Sequence, residues 1–396
     1  MSINNIDKWN PTSTDDIALK KALLTLQKST DSVLLSPWDQ KEEEIQEKRF
    51  LLQSTSYFAV KAYVLTGKDF PANDQEFISR FPEKAFKQLL PIDDRIYKET
   101  KEVLVRVGSS CRDFYDTKLQ NIVKVGSLAV VWSTTTLALL KDNQGLNLYA
   151  HLMVLSEVRY KDSSQHDEAF RVALLGARRS LTLLQKEAED GAKRADDLFK
   201  DLQKFQDYTE NLRPDTEKLI QKYTAGDKPY LNYLNEQYQK LSELQRPRLE
   251  QFKRIHDEWK ALGGEAIGDG VGGLQQEAFK SLWEEYETLK RDNADEAILI
   301  ESINNLGNQF KGLKEKIHEA IKAVGVLSLM FNQQSDSYKL IVQSLSGMSH
   351  MANEEDAETR RLFIKSQIGP TCLRLNELQK AAAGFVTAIL TENNLG

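Results

Sequence analysis

The residues of this chain whose chemistry could do work are five histidines, two cysteines, a glycine-rich run and several pairs of carboxylates. His151, His166, His256, His318 and His350 are scattered. None has the His-x3-His or Cys/His spacing that places two ligands on one metal ion, so each reads as a surface or packing residue. Cys111 and Cys372 lie far apart without zinc or redox spacing, which leaves two readings, a disulfide or two buried free thiols. No Gly-x-Ser-x-Gly elbow is present. The run Gly268-Asp269-Gly270-Val271-Gly272-Gly273 follows a helical pattern rather than a strand and has no lysine at P-loop spacing, so it reads as a hinge. The carboxylates Glu42–Glu44, Asp196–Asp197, Glu284–Glu285 and Glu354–Asp356 have lysines near them and read as solvated helix faces. The segment Ala294–Glu296 lacks the alternate oxygen ligands and central glycine of a calcium loop. No catalytic residue, no metal site and no cofactor is expected, and the chain does not read as an enzyme.

One segment combines side chains suited to a surface. Tyr230, Tyr233, Tyr238, Phe252, Trp259 and Leu262 fall among Lys228, Arg246, Arg248, Lys253 and Arg254. Aromatic rings with cations suit a lipid headgroup layer or a partner protein. Packing of a small core is the other reading. The glycines Gly263, Gly264, Gly268, Gly270, Gly272 and Gly273 that follow are the expected hinge.

The elements that must hold this segment are helices. Prolines number only 9 and glycines 20 in 396 residues, and they cluster, which favours long uninterrupted elements. Amphipathic helices are expected over Asp15–Lys28 and Lys41–Lys68, then from about Asp93 to Leu140 and from Leu146 to Tyr160. From Phe170 the apolar residues Leu174, Ala177, Leu181, Leu184, Ala188, Gly191, Ala195, Leu198, Leu202, Phe205 and Leu212 alternate three- and four-residue steps, with Thr209 the polar exception. A helix from Asp167 to about Tyr223, roughly 80 Å long at 1.5 Å per residue, is expected, with a kink at Pro214. A second seam runs through Leu299, Ile303, Leu306, Phe310, Leu313, Ile317, Ala320, Val324, Leu327, Phe331, Tyr338, Ile341 and Leu345, interrupted by Gln334. Two seams in one chain imply an antiparallel hairpin. Between them, two shorter helices are expected, Lys228–Gln245 and Pro247–Leu262.

The expected fold is therefore all-α: an elongated multi-helix bundle with two very long antiparallel coiled-coil helices and a small head at the hairpin tip. Residues 1–166 with 346–396 form tail-bundle helices, 167–223 and 274–345 the stalk, and 224–273 the head. The net charge of −6 and the absence of a basic stripe along the whole chain argue against nucleic acid as partner. Nowhere do 18 apolar residues run together, so Leu128–Leu140 and Ala320–Phe331 read as buried core helices. No signal peptide precedes the first helix, so release by a route independent of one is expected.

Three stretches carry a resemblance. Lys61-Ala62-Tyr63-Val64 with Gly67 and Pro71, the apolar helix Val123–Leu140, and the long helix with Phe205, Leu212, Pro214 and Lys218 resemble α-helical pore-forming toxins of the cytolysin A superfamily. The nearest likeness is to the A component of binary xenorhabdolysin-type toxins, and it covers about residues 50–345. It implies a pore-forming, cytolytic protein, a soluble monomer or dimer before assembly, secreted and then bound to the target-cell membrane and a second toxin subunit in a hetero-oligomer. Many members carry a strongly apolar hairpin at the tip, whereas residues 224–273 here are polar and amphipathic. A subunit that binds membrane or partner while another lines the pore fits that difference. The head would open around Gly263–Gly273 on contact. The alternative is a coiled-coil scaffold or adaptor that dimerises through the same seams.

Overall fold

Heptad spacing and scarce helix breakers dictate long helices, and the computed structural model shows them. It describes residues 9–35, 48–52, 55–141, 147–160, 162–261, 273–345, 347 and 354–393. In chain order these are α1 (Thr14–Asp31), a strand pair β1 (Leu34–Leu35) and β2 (Arg49–Phe50), α2 (Thr55–Lys68), α3 (Asp74–Arg80), α4 (Ile96–Phe114), a π-helical turn (Tyr115–Leu119), α5 (Gln120–Lys141), α6 (Leu148–Leu155), α7 (Glu168–Thr224), α8 (Tyr230–Ala261), α9 (Gly273–Phe310), α10 (Leu313–Ser344) and α11 (Glu354–Asn393). The strands pair antiparallel, Leu34 opposite Phe50. The fold is all-α.

The chain divides into two units. The first holds Met1–Phe58, Thr117–Lys204 and Glu315–Gly396, and the second Ala59–Asp116 and Phe205–Lys314. In the first unit α7 and α10 run antiparallel. Ser335 donates to Glu189 at 3.3 Å, the Phe331 ring covers Gly191, Ser328 donates to Asp196, and Phe199 meets Gly325. Partners rise in number along one helix as they fall along the other. Beside them α5 and α11 also pack antiparallel, with Gly126 against Phe385 and Gln379 donating to Thr134 at 2.7 Å. The small residues Gly126, Ala129, Ala381 and Ala382 let these two backbones approach closely. Helix α1 is tied down by Gln334, whose amide donates to Leu26 O at 2.8 Å and Ser29 Oγ at 2.7 Å, and by the Arg360–Asp16 ion pair at 2.8 Å.

In the second unit the later part of α7 keeps the same antiparallel sense, with Ile220 against Gly307 of α9 and Lys314 3.2 Å from Glu210. Helix α4 joins them through Thr100 and Tyr223, whose hydroxyls are 2.9 Å apart, and through Arg106 and Asp215 at 2.9 Å. Phe205 stacks near Phe114 and Tyr63 at centroid distances of 4.3 and 6.2 Å.

Both seams are buried. In the first only Leu174 is half-buried, its place in the core being shared with Ala173; in the second every residue named above is buried, Gln334 included. Helix α7 spans the expected range and runs on through Pro214. Three local expectations change. Helix α8 likewise runs through Pro247 as one element where two were expected, because a proline removes one backbone bond but an apolar face packed along α9 retains the rest. The second seam is carried by two helices, α9 and α10, separated at Lys311–Gly312, where Gly312 takes φ +69°. The start of Lys41–Lys68 is not continuous helix: Arg49–Phe50 pair as strand and α2 begins at Thr55, while residues 41–47 lie outside those described.

Candidate membrane and partner contacts

The predicted tip begins where α7 ends. Gly226, with φ +93°, supplies the left-handed residue that lets the chain leave α7, and Pro229 precedes α8. Tyr230 opens α8 and is half-buried. Its ring stands edge-on to Tyr223 at 5.8 Å and its hydroxyl donates to Asp93 at 3.3 Å, so this aromatic packs. Burial, and then the Asp93 carboxylate, push its phenol above the ordinary range. The same Asp93 lies 2.6 Å from Lys222, which also bonds Glu99, so the end of α7 is clamped to α4 and the segment before it.

Helices α8 and α9 pack antiparallel. Asn293 donates to Ser242 and Gln245 at 3.0 Å each, and Arg248 lies 2.8 Å from Glu285. Leu234 and Leu241 are buried between them, whereas Tyr233 and Tyr238 are half-buried. Phe252 and Trp259 sit on the backbone of α8. Leu262, Gly263, Gly264, Gly268, Gly270 and Gly272 lie outside the described residues, and Gly273 opens α9. Tyr230, Tyr233 and Tyr238 thus share one end of α8.

Spacing alone did not reveal a buried acid on α9. Glu296 is 2% exposed, and its Oε2 has no hydrogen-bond partner among the described residues. Burial, with the charges of Asp295 and Asp292 added, pushes its carboxyl up to about 8. Those two neighbours are held by Lys84, which bonds Asp292 and lies 2.9 Å from Asp295. Heptad reading marks position 296 as one step before the seam at Leu299, and the acid there was the available signal. Among the described residues no group of three or more His, Cys, Asp or Glu could hold a metal ion. Both cysteines are buried free thiols, with Cys111 pushed up to about 12 chiefly by burial.

A second feature concerns α5. The stretch Ile96–Leu140 contains an 18-residue window of mean hydropathy 1.5, long and apolar enough to cross a membrane, of which 44% is buried. The expectation of a fully buried core helix is therefore met on one face only. Trp132 is 2% exposed against Phe331, while Val131 is 53% exposed and Thr134 and Ala138 face outward. Between Lys124 and Lys141 there is no charged side chain at all. The gap between those lysines was visible in the sequence; its exposure was not.

No family model and no curated protein matches the chain. Solved structures do. The AhlB pore of the tripartite α-pore-forming toxin AHL from Aeromonas hydrophila is 10% identical, with 93% of this chain and 98% of that one covered and a TM-score of 0.40. The HblL1 toxin component of Bacillus cereus is 14% identical, with 92% and 94% covered and a TM-score of 0.43. XaxA from Xenorhabdus nematophila is 12% identical, with 87% and 99% covered and a TM-score of 0.36. The chain is similar along nearly its whole length to components of α-pore-forming toxins.

Proposed function

We propose that this chain is a component of a multi-subunit α-pore-forming cytotoxin, soluble on release, which binds the target-cell membrane and a partner subunit and oligomerises there. The observation that carries the proposal is the half-exposed helix α5, which has no charged side chain from Val125 to Leu140. Those 16 uncharged residues at about 1.5 Å each span about 24 Å, most of the roughly 30 Å of a bilayer's hydrocarbon core. The outer face of a helix in a soluble bundle ordinarily carries charge. Val131, Thr134 and Ala138 carry none. On this reading α5 enters the bilayer, while the tip around Tyr233 and Tyr238 contacts the membrane or the partner subunit, with residues 263–273 as the hinge.

The scaffold alternative needs seams free to dimerise. Ala177, Leu181, Leu184, Leu306, Ile317 and Leu327 are each fully buried within the single chain, so the seams are already satisfied.

The test is fluorophore release from liposomes by the chain alone and together with the products of adjoining genes. Release in any of these combinations is expected. Inertness in all of them, with the chain left in the soluble fraction, defeats the proposal.

A further inference from the structure

The first turns of α7 carry a face that neither the seam nor the tip explains. Helix α7 is fixed at its start: Asp167 accepts from Phe170 N at 3.0 Å and from Tyr160 Oη at 2.9 Å, and the His166 ring stacks on Phe170 at 3.7 Å. From this anchored end the buried residues Phe170, Ala173, Ala177, Ser180, Leu181 and Leu184 face the bundle. At about 100° per residue, Arg171, Val172, Leu175, Arg178, Arg179, Thr182, Leu183 and Lys186 fall in an arc of about 140° on the other side. All eight are exposed. Val172, Leu175 and Leu183 are 57%, 67% and 44% exposed.

Four cations share that arc, and no acid lies between Glu168 and Glu187. Arg171, Arg179 and Lys186 enter no ion pair among the described residues. A solvated helix face interleaves its charges, and with a net charge of −6 a run of four cations with no acid between them in sequence is a local exception. Exposed leucine and valine set among arginines also fits poorly with water. It fits an anionic bilayer surface, where the long cationic stems reach up to phosphate while the apolar groups sink below the headgroups.

We infer that residues 171–186 of α7 form a docking surface for anionic phospholipid, separate from the tip and lying in the same unit as α5. The inference rests on the membrane-binding part of the function proposed above, but not on pore formation.

The test is co-flotation of the full chain with vesicles of phosphatidylcholine alone or of phosphatidylcholine with phosphatidylserine. Binding to the anionic vesicles only, lost in about 1 M salt where the Debye length shrinks to about 3 Å, is expected. The double variant Arg171→Gln/Arg179→Gln is expected to bind about 30-fold more weakly, from about fivefold per cation near a membrane surface. Leu175→Gln is expected to weaken binding as well. These side chains are exposed, so helical content measured by circular dichroism stays unchanged.

A Lys228→Gln/Arg254→Gln variant at the tip is expected to weaken flotation less than the α7 variant does. If the tip variant loses binding and the α7 variant keeps it, the inference fails. It fails too if neutral vesicles bind equally well, if neither vesicle binds, or if the α7 variant instead abolishes self-association in solution, which would make a second copy the occupant. Dye release separates the two readings: leakage indifferent to lipid charge sinks the docking surface alone, and charge-dependent flotation without leakage sinks the pore alone.

Discussion

The ring of Phe331 lies 2.7 Å from where a Cβ on Gly191 would stand, so the antiparallel contact of α7 and α10 closes around a missing side chain. Phe331 is fully buried and also meets Trp132 edge-on at 5.7 Å, which leaves it little room to turn away. Gly191→Val is therefore expected to destabilise the chain by about 1–3 kcal/mol, the usual cost of overpacking a core. A urea midpoint equal to that of the parent would contradict this close packing.

Helix α1 is fastened to α11 by a buried charge pair. The side chain of Arg360 has no exposure, and its Nη1 is 2.8 Å from Asp16 Oδ1. Replacing Asp16 with Asn removes that carboxylate's charge from beside a buried guanidinium, at an expected cost of about 3 kcal/mol. The double variant Asp16→Leu/Arg360→Met is expected to recover most of that loss. A double variant as unstable as the single one would show that the charges contribute more than the burial they require.

Glu296 makes the second unit sensitive to pH. Its carboxyl sits at about 8 in the fold against an ordinary 4.5, because it is buried and Asp295 and Asp292 stand close. The folded form therefore holds its proton over a range where the unfolded chain has lost it. The penalty is absent below about 4.5, grows as pH rises to about 8 and is constant above. Denaturation midpoints are expected to fall across that window, and Glu296→Gln is expected to flatten the slope. An unchanged slope in the variant would assign the dependence to other groups.

Gln334 shows what sequence reading could and could not resolve. Three- and four-residue apolar steps located both seams, since burial along a helix face leaves that mark in residue type. Gln334 stood out as a polar break in the second seam, but its reason is a contact more than 300 residues away in sequence, with Leu26, Ser29 and Thr30 of α1. Periodicity carries no information about such partners. The break at Gly312 was hidden for a related cause: the burial beat continues across it while the backbone does not. Pro247 misled in the opposite direction, because propensity is overridden where one face is packed along its length. Gln334→Leu is expected to speed amide exchange throughout α1 while leaving α8 and α9 unchanged; protection of α1 equal to the parent's would contradict this account of its docking.

The exposed side of α5 offers the most direct test of the central claim. Val131 is 53% exposed within the uncharged stretch of α5, and both native cysteines are buried, so a Val131→Cys variant can carry an environment-sensitive fluorophore at that single site. On addition of liposomes, under conditions where they leak, the label is expected to shift its emission from that of water to that of hydrocarbon. Leakage with the label still reporting water would contradict entry of α5 into the bilayer.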